Sequence, residues 1–156
     1  MDPSDRERRV TTLIQIMMLA SVGLYGAVVA FYRLGVEPED TPPPPPGLGR
    51  LALFLAALGL VQLLAAALLG RLILRSRRGE PAARVRAYFL LRAAAAECVA
   101  IYAFVLGFLG APAASVLVLF LLGAASLGLW FPGRAAWERA MRAAGATTGP
   151  ASVSPR

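Results

Sequence analysis

Charged residues divide the chain into long apolar runs. From Val10 to Tyr32, 23 residues pass without a charge, bounded by Arg9 and Arg33. From Leu51 to Gly70, 20 more lie between Arg50 and Arg71. From Ala87 to Gly133, only Arg92 and Glu97 are charged. A helix of about 20 apolar residues, rising about 1.5 Å per residue, crosses a hydrocarbon core of about 30 Å. The first two runs therefore predict one span each. The third would reach roughly 70 Å if helical throughout, too long for one crossing. Gly110-Ala111-Pro112 is the strong turn signal inside it and divides it into spans at 87–109 and 113–131. Trp130, Phe131 and Pro132 suit an interfacial end for the last span. The pattern predicts an all-α integral membrane four-helix bundle of two transmembrane hairpins over residues 10–133. A short segment, 1–9, precedes it and a basic tail, 134–156, follows. Small polar residues from Thr147 to Arg156 predict disorder there.

The arginines orient these spans. Arg6, Arg8 and Arg9 precede the first, six lie between the second and third, and Arg134, Arg139 and Arg142 follow the fourth. Only Arg33 and Arg50 lie on the opposite side. The positive-inside rule puts both termini and the middle loop in the cytoplasm. The first external loop carries Glu37, Glu39 and Asp40, then the run Pro42 to Pro46, which favours a stiff polyproline II strut. The first apolar run exceeds the 7–15 residues of a signal-peptide core, so it is expected to stay as a span.

Composition sharpens the class. The chain is 58% hydrophobic and 16% charged, against about 25% charged for a soluble domain. All 16 basic residues are Arg, against 9 acids, giving net +7. Because this charge sits between apolar runs, its expected partner is the anionic headgroup layer of a lipid bilayer, with no nucleic-acid role. Arg75, Arg77, Arg78, Arg84 and Arg86 form the densest headgroup-facing group. There is no His and one Cys, which removes disulfides, Cys/His zinc sites and His-based acid–base chemistry. No nucleophile triad, phosphate loop or cofactor motif is present, so neither an enzyme nor a cofactor is expected.

In lipid, small residues at helical spacing mark helix contacts. They occur as Ala20, Gly23, Ala27 and Ala30 in the first span, and as Ala52, Ala56, Gly59, Ala66 and Gly70 in the second. The third has Ala93, Ala96, Ala100, Ala103 and Gly107, and the fourth Ala124 and Gly128. Self-association or other membrane subunits are natural partners for such faces. Among isolated polar groups, serines are expected to bond the carbonyl one turn back, and Gln15 and Gln62 to point inward. Cys98 reads as a small apolar residue.

Glu97 stands out. With the third span starting near Ala87, it lies about 15 Å along the helix, close to mid-membrane. An ionised carboxylate there is costly, and intramembrane acids are candidates for function. A carboxyl that exchanges a proton, or less readily Na⁺, is one reading. The other is structural: Arg92 lies about 7.5 Å lower and some 140° around the helix, within reach of a direct or water-bridged pair. If Arg92 instead snorkels to the headgroups, Gln62 or Tyr102 is left to meet Glu97.

The stretch Arg77–Leu109 resembles the loop and second helix of the rotor proteolipid, subunit c of F-type and V-type ATP synthases. The likeness rests on Arg77-Arg78-Gly79-Glu80-Pro81, Val85-Arg86, Glu97 and Ala100-Ile101-Tyr102-Ala103-Phe104-Val105-Leu106, with Arg86 eleven positions before the carboxylate. It implies a c-like hairpin in which Glu97 carries the ion and Tyr102 belongs to the surrounding lock. Span two departs from the family in having only Gly59 and Gly70, without the dense glycine series of a rotor ring. The expectation is thus a bacterial inner-membrane protein that binds or carries protons at Glu97. The alternative is a non-catalytic accessory subunit with Glu97 paired to Arg92 or a partner.

Overall fold

Apolar length, proline and glycine placement set the element boundaries. The computed structural model describes residues 3–35, 45–76 and 78–145. Among these, five helices follow one another: α1 (Pro3–Gly35), α2 (Leu48–Arg75), α3 (Pro81–Phe108), α4 (Ala113–Leu129) and α5 (Arg134–Ala143). No strand occurs among the described residues. The first three helices overrun the predicted apolar spans because their flanking arginines are good helix formers and continue the turn. Pro81 starts α3 at a position where its missing N–H is not needed.

The predicted turn between α3 and α4 is a Schellman motif. Gly110 takes φ +79°, the Ala111 N–H bonds to Leu106 O at 3.0 Å, and the Gly110 N–H bonds to Gly107 O at 3.4 Å. Pro112 then bars further helix from the preceding turn.

α1, α2 and α3 are each long and apolar enough to cross a membrane. α4, with 17 residues, meets that standard only together with α5, from which it bends by 72°. The chain thus has three to four candidate spans. The loop acids Glu37, Glu39 and Asp40, most of the proline strut, and the tail from residue 146 lie outside the described residues, as does Arg77.

α3 is the central helix, packed against α1, α2 and α4. Its predicted small-residue face is buried: Ala93, Ala96, Ala100 and Ala103 are fully enclosed, with Val99 and Leu106 beside them. The α2 stripe is also buried at Ala52, Gly59, Ala66 and Gly70, with Leu63 buried alongside. Gly59 faces Val99 and Gly70 faces Tyr88, as an antiparallel pair requires.

Two predicted faces are corrected. On α4 the contact is made by Gly123, whose added Cβ would lie 2.9 Å from Ala96 O, whereas Gly128 faces open space. On α1 the stripe Ala20, Gly23, Ala27 and Ala30 is exposed, and Thr11, Gln15, Val22 and Val29 are buried instead. Lipid accepts either surface of an apolar helix, so small residues alone do not decide the face.

The basic segment after α4 is not all tail: Arg134–Ala143 forms α5, with Trp137 and Ala140 buried against Leu74, Val85 and Phe89. Trp137 stacks on Phe89 at 5.8 Å between ring centroids. Arg84 fastens this corner. Its guanidinium donates to Leu74 O at 3.3 Å and to Ser76 O at the end of α2, and to Ala144 O at 2.8 Å at the end of α5. These are carbonyls that the helices leave unpaired.

Candidate functional site

Glu97 sits on the side of α3 that faces α1. The two helices run parallel, and a column of contacts joins them: Glu7–Arg86, Ser21–Glu97, Tyr25–Phe104 and Tyr32–Phe108. Residues 86, 97, 104 and 108 recur at spacings of 11, 7 and 4, which return to one face of a helix. At the centre of this column, Ser21 Oγ lies 2.6 Å from Glu97 Oε1 and 2.7 Å from Met18 O on its own helix. Glu97 is half-buried.

Depth can be read from the neighbouring elements. Trp130, at the C-terminal end of α4, lies over Arg92, 5.1 Å from ring centroid to guanidinium carbon. Glu97 is five residues further on, about 7.5 Å deeper on the apolar side of that level.

Arg92 and Glu97 are not brought together. The nearly 140° between them on the helix turns Arg92 toward α2, where it donates to the Tyr88 hydroxyl and, at 3.5 Å, to Ala67 O. It also covers the Tyr88 ring at 4.2 Å. The ion pairs among the described residues are Asp5–Arg8, Glu7–Arg86 and Arg134–Glu138, and none involves Glu97.

Gln62 and Tyr102 do meet, but as a separate pair: the Tyr102 hydroxyl donates to Gln62 Oε1 at 3.0 Å across the α2–α3 contact. Neither forms a hydrogen bond to Glu97. The predicted ion-binding trio is therefore divided between two faces of α3, with Glu97 toward α1 and the other two toward α2. Ser21, read from sequence only as a back-bonding serine, is the group at Glu97. It makes that back-bond and faces the carboxyl as well.

The predicted headgroup arginines also divide. Arg75 and Arg78 are exposed, Arg86 pairs with Glu7 at 3.2 Å, and Arg84 is committed to the three carbonyls at the α5 corner. At the other end of the bundle, Arg33 donates to Gly107 O and Ala111 O, closing the α3–α4 turn from α1. Gln15 works in the same way near the Arg-rich end, donating to Trp130 O at 3.1 Å and Leu127 O at 3.4 Å. Both are cross-helix caps that no local sequence pattern announces. Cys98 is half-buried and unbonded to sulfur. The chain matches no known protein family, no curated protein and no solved structure.

Proposed function

We propose that the chain is a multi-pass protein of a bacterial cytoplasmic membrane whose Glu97 carboxyl binds a proton within the apolar layer, as part of a membrane assembly. The observation that carries this reading is the geometry at Ser21. A hydroxyl has one hydrogen, yet Ser21 Oγ is within 2.7 Å of two acceptor-type oxygens, Met18 O and Glu97 Oε1. One more hydrogen completes the set if it resides on Glu97. The carboxyl then donates to Ser21 Oγ, and Ser21 donates to Met18 O. The absence of a guanidinium at Glu97 among the described residues supports the same assignment, because an ionised carboxylate in low dielectric needs a charge partner. A proton suits the site better than Na⁺, which takes several oxygen ligands where the described contacts supply one hydroxyl.

In this reading α1–α2 and α3–α4 are two transmembrane hairpins, with both termini and the α2–α3 loop on the cytoplasmic, arginine-rich side. The α2–α3 pair is the c-like hairpin. It departs from a rotor subunit in that α1 of the same chain stands against the carboxyl, where a rotor carboxyl meets lipid or a neighbouring subunit.

Labelling of the full chain in native membranes with a hydrophobic carbodiimide tests the proposal, since that reagent attacks the protonated acid. Modification of Glu97 at neutral pH is expected, and Glu97→Gln should abolish it while keeping the helical content. No modification of the wild-type chain overturns the reading. The same Ser21 contact supports a second reading, an accessory subunit in which Glu97 only joins α1 to α3. Glu97→Gln would then leave proton flux through reconstituted vesicles unchanged and alter only stability or assembly.

A further inference from the structure

A second polar site lies near the arginine-rich end of the bundle, on the opposite side of α3 from Glu97. A cavity of about 290 Å³ opens between α2, α3, α4 and α5. Two guanidiniums, Arg92 and Arg139, line it together with the aromatic rings of Tyr88, Trp130 and Phe131. No acidic residue is among its lining groups. Arg71 stands close enough on α2 for its charge to act on Arg92.

The positive charge here is not consumed by the protein. Arg84, a few residues away, spends its donors on three helix-end carbonyls, and Gln15 takes those of α4. Glu138, the acid beside Arg139 in sequence, is paired with Arg134 at 2.9 Å. Arg92 is left with a tyrosine hydroxyl and one carbonyl contact at 3.5 Å, and its Nε is buried without a partner. Gly70 makes room for this guanidinium, since a Cβ there would sit 2.9 Å from Tyr88 and 3.4 Å from Arg92 Nε. Arg92 is thus seated against α2 and stacked on Tyr88, and it lines a cavity that holds a second cation and no anion.

We infer that this cavity binds a phosphate-bearing anion, for which the headgroup of an anionic phospholipid is the membrane source and free phosphate the soluble one. Planar guanidiniums hold phosphate oxygens in forked pairs, and tryptophan and tyrosine rings favour the headgroup level of a bilayer. The site lies at the level of Trp130, where α4 ends and α5 turns away by 72°, so a lipid phosphate reaches it without leaving the interface. The inference does not depend on the proton at Glu97.

The test uses the full chain in a neutral detergent, titrated with phosphatidylglycerol, with phosphatidylcholine and with inorganic phosphate, and followed by native mass spectrometry. Phosphatidylglycerol is expected to bind saturably at one per chain and phosphatidylcholine not to bind. Arg92→Gln and Arg139→Gln should each weaken binding about tenfold, the share of one charge-assisted phosphate contact. The double substitution Arg9→Gln and Arg50→Gln, on exposed arginines of α1 and α2 that do not line the cavity, should leave binding unchanged. Arg139 is exposed on α5, so its substitution carries the test even if Arg92→Gln fails to fold. Full displacement by millimolar inorganic phosphate upholds the anion site and assigns it to the soluble source. Wild-type affinity in both cavity variants, an equal loss in the Arg9/Arg50 variant, or no binding overturns the inference.

Discussion

Among the described glycines, Gly123 is the one whose added Cβ would meet the backbone of another helix, and it gives the sharpest test of how the bundle is held. At Gly123, an added Cβ would lie 2.9 Å from Ala96 O, 3.2 Å from Ala100 Cβ and 3.2 Å from Ala100 N. Two of those three atoms are backbone within the central helix, so no rotamer change clears them. Gly123→Ala must therefore push α4 outward. Dispersion contacts lose a quarter to a half of their strength over a gap of about 0.5–1 Å, and Val116, Leu119 and Leu127 on the same helix are all buried against the core. Overpacking of this kind costs about 1–3 kcal/mol. Gly26→Ala, in the interior of α1 with nothing within 4 Å of the new Cβ, receives the helix-propensity benefit of alanine without the collision. Unfolding in mixed micelles by titration with a denaturing detergent, followed by tryptophan emission, compares the two. Gly123→Ala is expected to be less stable than Gly26→Ala by about 1–3 kcal/mol, and Ala100→Gly, which removes only the Cβ contact, should restore part of the loss. Equal stability of Gly123→Ala and Gly26→Ala would refute the close-approach argument for α3 and α4.

Three further outcomes follow from the polar contacts. Ser21→Ala should destabilise the bundle by about 0.6–2 kcal/mol, the range for interhelical hydrogen bonds in membranes, and the loss should vanish in a Glu97→Leu background; additive losses would separate the two residues. Tyr102→Phe should leave carbodiimide labelling of Glu97 unchanged, because the Tyr102 hydroxyl is bonded to Gln62 on the α2 side; altered labelling would return Tyr102 to the proton site. Arg84→Gln should release α5 from the α2 end, at a cost of about 1.5–3 kcal/mol for bonds to a charged donor. With Trp130 replaced by Phe, the red shift of Trp137 emission measures that release, and an unshifted spectrum counts against the capping role.

What was legible in the sequence follows from what a membrane makes obligatory. A backbone in hydrocarbon must satisfy its own hydrogen bonds, so apolar run length converts directly into helices, and α1, α2 and α3 appear where the runs predict them. Gly110 and Pro112 likewise mark a turn that any fold of this chain has to make. Helix α5 was missed because its ten residues carry Arg134, Glu138, Arg139 and Arg142, which read as a solvated tail. The signal was the spacing of Trp137, Ala140, Met141 and Ala144, an apolar edge at helical intervals. The capping roles of Arg33, Arg84 and Gln15 had no local signal, since each bonds carbonyls of other elements.

The division of the candidate site follows from α3 packing against α1, α2 and α4 at once. Successive residues turn about 100° around a helix axis, so each neighbour receives its own column of side chains. Tyr88, Arg92, Val99 and Tyr102 point toward α2, Ala96 and Ala100 toward Gly123 of α4, and Arg86, Glu97 and Phe104 toward α1. Counting along the chain makes Arg92, or failing it Tyr102, a partner for Glu97, because five residues is a short distance in depth. It is also nearly 140° of rotation, which is enough to give each a different partner. The partner of Glu97 is found by depth instead. Ser21 lies eleven residues above Val10 and Glu97 ten above Ala87, about 16 Å and 15 Å into spans that start on the same side. Parallel helices bring equal depths into contact, so in a membrane protein two polar residues at matched depth on same-direction spans are better candidates for a pair than two near neighbours on one helix.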